Sequence, residues 1–509
     1  MGFERITKLF NDGAERKGAA RGLLKAIVGR GRIGVAMGCY SLWMIACCMG
    51  RPVEMPGFGG LLVPGWILPL ACNALASTAI ALRFRQTRAV RSGRAWTVAL
   101  MALMTAAAVL HLAWMELVGL PVGLQGALYV GASALTGVGA ALFRVEIDRV
   151  FGWLGTQQTL YQGVLAVGVQ GVMLVACLAG GEAGELRGDC DILCVVALAL
   201  PAVVGWLLHS VVRMLPRRRF FEHGLDAPLP FPAKFVATSA VQGVAAGALY
   251  GATFLVLGKA SNLSWEGAAA EMAGAVLLFL TALFLRLDFN RFIYKVAFPF
   301  VAAGFLLVGG RWVGIEVGAI ILMAGFCYLD LVLWSLGACL IKNMGLPATW
   351  VAACPGAALF LGAVIGGLAV CAGMTGQPPA DIAGGGALMA SLFLASALFL
   401  SSGSNMKYGW GTIVPGEGSI DLGGLEGVVR FMAVERGVSQ RETEVMELLV
   451  QGKTRREICE ALIVSPDTVK THVRAIYRKL DVHSQQDLID RVVAERDRLV
   501  EEPAVAPLG

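Results

Sequence analysis

Charge is what this chain has least of: Asp, Glu, Lys and Arg together make up 15% of 509 residues, and histidine occurs five times. An ordinary soluble domain carries about 25% charged residues, and a disordered chain needs still more polar character, so neither describes most of this sequence. The scattered histidines share no metal-ligand spacing with any cysteine, which argues against a metal centre. Twelve cysteines are present, but nine (Cys39, Cys47, Cys48, Cys72, Cys177, Cys327, Cys339, Cys354 and Cys371) fall in apolar segments. There they read as small packed hydrophobes rather than a disulfide framework. Gly452-Lys453-Thr454 ends like a phosphate-binding loop, but Glu447 stands where that loop needs glycine, so nucleotide binding is rejected. No receiver domain, catalytic constellation or cofactor motif is evident, and no enzyme activity is expected.

What is present is apolar: 57% of residues are hydrophobic and 65 are glycine. Stretches long enough to span a bilayer fall near 33–50, 61–82, 95–118, 122–143, 158–180, 192–213, 235–257, 267–286, 293–310, 313–340, 347–372 and 385–402. Pro299 and Pro355 interrupt the later ones. No small-residue cleavage site follows the first stretch, so it does not read as a signal peptide. Bases crowd residues 1–32, the second-to-third connection (Arg83, Arg85, Arg88, Arg91, Arg94) and the sixth-to-seventh (Arg213, Arg217, Arg218, Arg219, Lys234). Alternate connections are poor in base, as in GGEAGELRGDCD from Gly180. The positive-inside rule then puts both termini in the cytoplasm. The basic tail reads as an anchor to anionic lipid.

The long basic connection divides the twelve segments six plus six. That layout resembles the major facilitator transporters, in which the first, fourth, seventh and tenth helices surround a central cavity. Tyrosines sit in small-residue contexts on those four segments: MGCYS at Tyr40, GALYVGAS at Tyr129, GALYGAT at Tyr250 and FCYLDL at Tyr328. Asp330 is costly in a bilayer unless it faces a cavity or a partner. Tyr40, Tyr129, Tyr250, Tyr328 and Asp330 are therefore expected to line a ligand site. Gly243, Gly247 and Gly251 form a stripe that permits close helix contact. The second-to-third connection, RFRQTRAVRSGR, departs from that transporter family's signature in lacking its Asp and leading Gly.

Residues 406–437, which include GWGTIVPGEGSIDLGGLEG, read as a flexible Gly-rich linker spanning on the order of 30 Å. Beyond it the chain changes character. Ser439 with Glu442 and Thr454 with Glu457 form capping boxes; Ser465-Pro466 and Ser484 start two more helices; Gly452 ends the first. At about 100° per residue, Val469, Val473, Ile476 and Leu480 share one face of the third helix. Lys470, Thr471, Arg474 and Arg478 lie roughly 145° away. Apolar behind and donor-rich in front is how a helix enters the major groove.

The run SQRETEVMELLVQGKTRREICEALIVSPDTVKTHVRAIYRKLDV resembles the LuxR-type DNA-binding domain. Ser439, Arg441, Glu442, Gly452, Glu457, Ile458, Ser465, Thr468, Val469, Lys470 and His472 carry the pattern, over about an eighth of the chain. The resemblance implies base contacts from Lys470, Thr471 and Arg474. Lys453, Thr454, Thr468, Arg478 and Lys479 are placed to hold phosphates. It also implies dimerisation through the last helix, from Gln485 to about Leu499. Cys459 and Gln485 depart from the usual Ala and Arg.

The expected architecture is thus all-α: a basic tail (1–32), a polytopic bundle of about twelve membrane helices (33–405), the linker (406–437), a four-helix helix-turn-helix domain (438–499) and a tail (500–509). The expected function is that of a cytoplasmic-membrane regulator that binds an operator of two half-sites and responds to a small molecule. Two alternatives stand beside it: a transporter whose appended domain regulates genes, and a regulator merely tethered to the bilayer.

Overall fold

The computed structural model describes residues 13–48, 52–54, 62–83, 94–117, 119–154, 156–183, 189–212, 233–257, 265–284, 296–310, 315–344, 348–400, 428–429, 432–433, 435–462 and 464–501. The expected linker through residue 427, the tail beyond 501, and the basic connections at 84–93 and 213–232 lie outside the described residues.

Twelve helices form the first region among the described residues. They are α1 (Gly13–Cys48), α2 (Ile67–Arg83), α3 (Arg94–Glu116), α4 (Val122–Leu154), α5 (Thr156–Ala183), α6 (Asp189–Val212), α7 (Ala233–Leu257), α8 (Trp265–Phe284), α9 (Phe298–Gly310), α10 (Ile315–Met344), α11 (Ala348–Met374) and α12 (Pro379–Leu400). Each answers to one apolar stretch of the sequence. Eight (α1, α3, α4, α5, α7, α10, α11 and α12) are long and apolar enough to cross a membrane; α2, α6 and α8 carry shorter apolar stretches, and α9 has 13 residues.

The expected boundaries shift in places. The basic tail joins the first span as one helix from Gly13. The second stretch begins as strand, since β1 (Val53–Glu54) pairs antiparallel with β2 (Leu62–Val63) before α2. The fourth runs past residue 143 because charged side chains there find partners inside the bundle. Pro355 lies within α11 rather than ending it. Pro299 sits in the first turn of α9, where its missing N–H costs nothing.

The contacts repeat with a shift of six. Helix α1 packs on α5 and α6 as α7 packs on α11 and α12; α2 on α4 as α8 on α10; α3 on α4 and α6 as α9 on α10 and α12. Between the halves, α2–α11 is matched by α5–α8 and α4–α11 by α5–α10, while α4–α10 is its own counterpart. This is the signature of two like halves related by a pseudo-two-fold axis.

Small residues let paired helices approach. A Cβ at Gly243 or Gly247 of α7 would strike the carbonyls of Leu359 or Ala363; one at Gly362 or Gly366 of α11 would strike those of Ala240 or Val244. The equivalent pair in the first half does the same: at Gly38 of α1 a Cβ would stand 2.6 Å from the Ala166 carbonyl of α5. Where lipid is as apolar as leucine, such backbone approach is the main source of helix association.

The second region contains α13 (Gln440–Val450), α14 (Arg455–Leu462), α15 (Pro466–Leu480) and α16 (Gln485–Glu501). Its core joins Val445, Met446, Leu449, Ile458, Val469, Val473, Ile476, Leu480, Leu488 and Val492. Val428, Val429 and Met432 are buried in that same core. The packed domain therefore starts about ten residues ahead of the boundary expected at Val438, and the end of the Gly-rich run belongs to it.

Candidate functional site

In the C-terminal domain, local chemistry fixes where α15 starts and which face it shows. Around α13 the capping box closes both ways: the Ser439 N–H donates to Glu442 Oε2 at 2.7 Å and the Glu442 N–H to Ser439 Oγ at 3.4 Å. Thr454 and Glu457 repeat the device at α14, at 2.7 and 3.3 Å. Each such cap contributes about 1 kcal/mol. Gly452, at φ 78°, turns the chain left-handed after α13. Its N–H and that of Lys453 donate back to the Leu449 and Leu448 carbonyls, closing a Schellman motif. At α15, Ser465 accepts from the Thr468 N–H at 3.2 Å and Pro466 follows. At the far end Asp481 adopts φ 53° and stops the helix.

Between these caps the expected faces separate. Val469, Val473, Ile476 and Leu480 are buried, whereas Lys470, Thr471, Arg474 and Arg478 are exposed. The Thr471 hydroxyl donates to the Asp467 carbonyl at 2.9 Å, which orients its methyl and lone pairs outward. Thr454 and Thr468 hydroxyls are engaged in caps, with Glu457 at 2.7 Å and Ser465 at 2.8 Å. Lys453 is half-buried beside them at the end of α13.

Lys479 is placed differently from its expected phosphate role. Its Nζ donates to Glu442 Oε2 at 2.7 Å and to the Gly437 carbonyl at 2.8 Å, tying the end of α15 to the start of α13. Burial by itself would raise the Glu442 carboxyl, but the Lys479 ammonium and the Ser439 donors outweigh it and hold that group down at about 2. Gln485, where the resemblance expects Arg, donates to the Leu449 and Lys453 carbonyls at 2.8 and 3.0 Å and pins α16 against the end of α13. Asp487, fully exposed, is lowered by hydrogen bonds from Ser484 and His483.

In the membrane region the four tyrosines do not converge. Tyr40 donates to the Ala140 carbonyl at 3.1 Å and stacks on Phe143 at 4.3 Å. Tyr129 donates to the Gly65 carbonyl at 3.1 Å against Trp114, and Tyr328 pairs with the Thr281 hydroxyl at 3.2 Å. Each phenol is satisfied within the packed core, which removes the motive for placing it at a ligand. Tyr250 and Asp330 do line cavities, one of about 190 Å³ and one of about 240 Å³, and Arg144 and Phe326 line both.

The charges gathered there went unassigned in the sequence. Arg144 Nε donates to Asp148 Oδ2 at 3.0 Å, and Trp334 Nε1 of α10 donates to Asp148 Oδ1 at 2.5 Å. That pair joins the two halves across α4–α10. Gln170 of α5 donates to Glu271 Oε2 of α8 across the other interface, and Gln242 donates to Asp330 Oδ1 at 3.4 Å. The signal was present as FRVEIDRV, whose i, i+4 Arg144 and Asp148 share a helix face.

Comparison with known proteins agrees with both regions. Residues 437–492 match the family model described as bacterial regulatory proteins, luxR family. The uncharacterized response regulatory protein YgeK of Escherichia coli (strain K12) is 46% identical over 52 residues, 10% of this chain and 35% of that one. The spore germination protein GerE of Bacillus subtilis (strain 168) is 40% identical over 52 residues, 10% of this chain and 70% of that protein. The chain spans about a third of the length of the first curated relatives it matches. Among solved structures, the major facilitator superfamily proton:xylose symporter XylE superposes on 74% of this chain and 95% of its own, at a TM-score of 0.50 and 11% identity; at that identity the likeness is one of fold. With a capped, donor-faced helix-turn-helix behind a facilitator-like bundle, the chain belongs to the LuxR family of bacterial regulatory proteins.

Proposed function

We propose that the protein is a multi-pass regulator of the cytoplasmic membrane that binds operator DNA through its C-terminal domain and senses a small molecule through its bundle. The observation that carries the reading is the face of α15: three unpartnered cations among the described residues, Lys470, Arg474 and Arg478, stand opposite a fully buried stripe. In this reading Lys470 and Arg474 donate to guanine edges and Thr471 touches a base edge or a thymine methyl. Lys453, Thr454, Thr468 and Arg478 hold phosphates, and Lys479 acts by fixing α15 in place. The exposed side of α16 supplies the dimer contact that matches two half-sites. In this reading both termini lie in the cytoplasm, which the Lys and Arg bias of the sequence at 1–32, 83–94 and 213–234 supports.

Ligand occupancy of the chamber formed by the two cavities at Tyr250 and Asp330 shifts the bundle between two packings of its halves, and the Gln170–Glu271 and Asp148–Trp334 hydrogen bonds are contacts between halves that such a shift would strain. The test uses full-length protein in lipid nanodiscs with a random duplex library. Selection of one two-fold motif is expected, with its affinity lowered when Arg474 becomes Ala. Retention of no sequence over the library background at low salt refutes it.

A transporter with an appended regulatory domain is favoured by one observation of its own, the six-shifted contacts around a charged cavity. Uptake of a chamber ligand into proteoliposomes separates the two readings.

A further inference from the structure

The chamber's wall carries more negative than positive charge. Arg144, Asp330 and Glu271 line the cavity of about 190 Å³, and the ion pair of Arg144 is made with Asp148. With that pair set aside, Asp330 and Glu271 remain, each with a single side-chain hydrogen bond from a neutral glutamine amide. Among the described residues neither carboxylate has a counter-ion within salt-bridge distance. Ionised groups in an apolar interior are stable only when paired, and Arg144, the cation among the described lining residues, is already paired with Asp148.

The adjoining cavity of about 240 Å³ shares Arg144, Tyr250, Phe326 and Asp330 with the first, and its further wall is apolar, with Met44, Leu70, Leu359 and Phe360. One group on that wall points to a ligand independently of the acids. Trp66, which enters α2, is 6% exposed, and its Nε1 is a buried donor with no acceptor. A buried N–H left unmade costs about 1–3 kcal/mol, which an oxygen on a bound molecule would relieve.

Resting on the sensing reading above, we propose that the chamber takes an organic ammonium ion with an apolar, oxygen-bearing body. The ammonium lies between Asp330 and Glu271, within reach of the faces of Tyr250 and Phe326. The body fills the apolar wall, and an ether, carbonyl or hydroxyl oxygen accepts from Trp66 Nε1. A neutral molecule leaves the two carboxylates unpaired, and an anion is repelled by them.

The test measures equilibrium binding to the full-length protein in detergent, with no DNA present. The probes are 4-methoxyphenethylamine, its neutral counterpart 2-(4-methoxyphenyl)ethanol, the anion 3-(4-methoxyphenyl)propionate, and phenethylamine, which lacks the ether oxygen. The methoxy amine is expected to bind saturably and about tenfold or more tighter than the alcohol or the acid. Asp330→Asn and Glu271→Gln each should remove most of that preference while leaving the alcohol unchanged, which also shows that the variants are folded. Trp66→Phe should equalise the two amines without weakening phenethylamine. Equal or tighter binding of the alcohol or the acid, amine binding indifferent to both carboxylate substitutions, or no saturable binding of either amine at millimolar concentration overturns the proposal. The assay does not involve transcription. Amine binding with a silent reporter would therefore reject sensing and keep the site; operator binding without amine binding would do the reverse.

Discussion

The two regions of this molecule hold themselves together by opposite means. In the C-terminal domain water does the sorting: apolar stripes turn inward, side-chain caps close the helix ends, and charged groups stay at the surface apart from Glu442, which Lys479 pairs. In the bundle there is no such sorting. Exposed leucines and valines are common on its outer helices, glycines bring backbones into contact, and the charges are inside. Helix identity is thus local in one region and relational in the other: a cap is written within four residues, but a glycine matters only because of the helix it meets.

The largest effect expected from that contrast is at Gly247. A leucine there meets the Ala363 carbonyl of α11, backbone that cannot rotate away, at a cost above about 4 kcal/mol. Monodisperse protein recovered in detergent should fall sharply, while operator binding by whatever is recovered keeps its wild-type affinity.

Next is Asp148→Ala, which strips the carboxylate from Arg144 and Trp334 at once. Removing one partner of a buried pair costs about 3–5 kcal/mol, seen as a lower melting temperature of the bundle. Asp148→Asn keeps the Trp334 acceptor and should lose less.

How much of this was legible in the sequence follows the same contrast. The caps at Ser439, Thr454 and Ser465 and the faces of α15 were readable because their signals span one or two turns. All twelve apolar stretches became helices, since length and composition suffice to define them. What those helices face was not readable: Tyr40, Tyr129 and Tyr328 share a sequence context with Tyr250, yet partners on α4, in the turn before α2 and on α8 absorb their hydroxyls. Arg144 and Asp148 passed unassigned because a charge beyond the apolar run looks like loop until its partner is known, and Glu271, inside its run, because its partner Gln170 lies on another helix. Val428, Val429 and Met432 were hidden by a neighbouring glycine-rich run, although their i, i+1, i+4 spacing is helical. Lys479 looked like one more basic residue of α15, and only Glu442, 37 positions away, shows its use.

Smaller effects sharpen the comparison on the soluble side. The Glu442 carboxyl lies at about 2 in the folded domain against an ordinary 4.5. The stability it contributes is therefore complete above pH 4.5 and is lost as pH falls through that range toward 2. Glu442→Gln should remove about 1.5–3 kcal/mol at neutral pH and flatten the acid limb of the domain's unfolding curve. Gln485→Ala, which frees the Leu449 and Lys453 carbonyls to water, should cost only about 1 kcal/mol. Neither change should alter probe binding in the chamber.

The central claim is that one chain grips DNA while it stays in the membrane. Chromatin immunoprecipitation of the full-length protein, with parallel membrane fractionation, tests it directly. The account predicts enriched sites that share a two-fold motif, their loss with Arg474→Ala at unchanged protein level, and recovery of the intact chain in the membrane fraction. No enriched motif, or enrichment carried only by a shortened fragment in the soluble fraction, would contradict it.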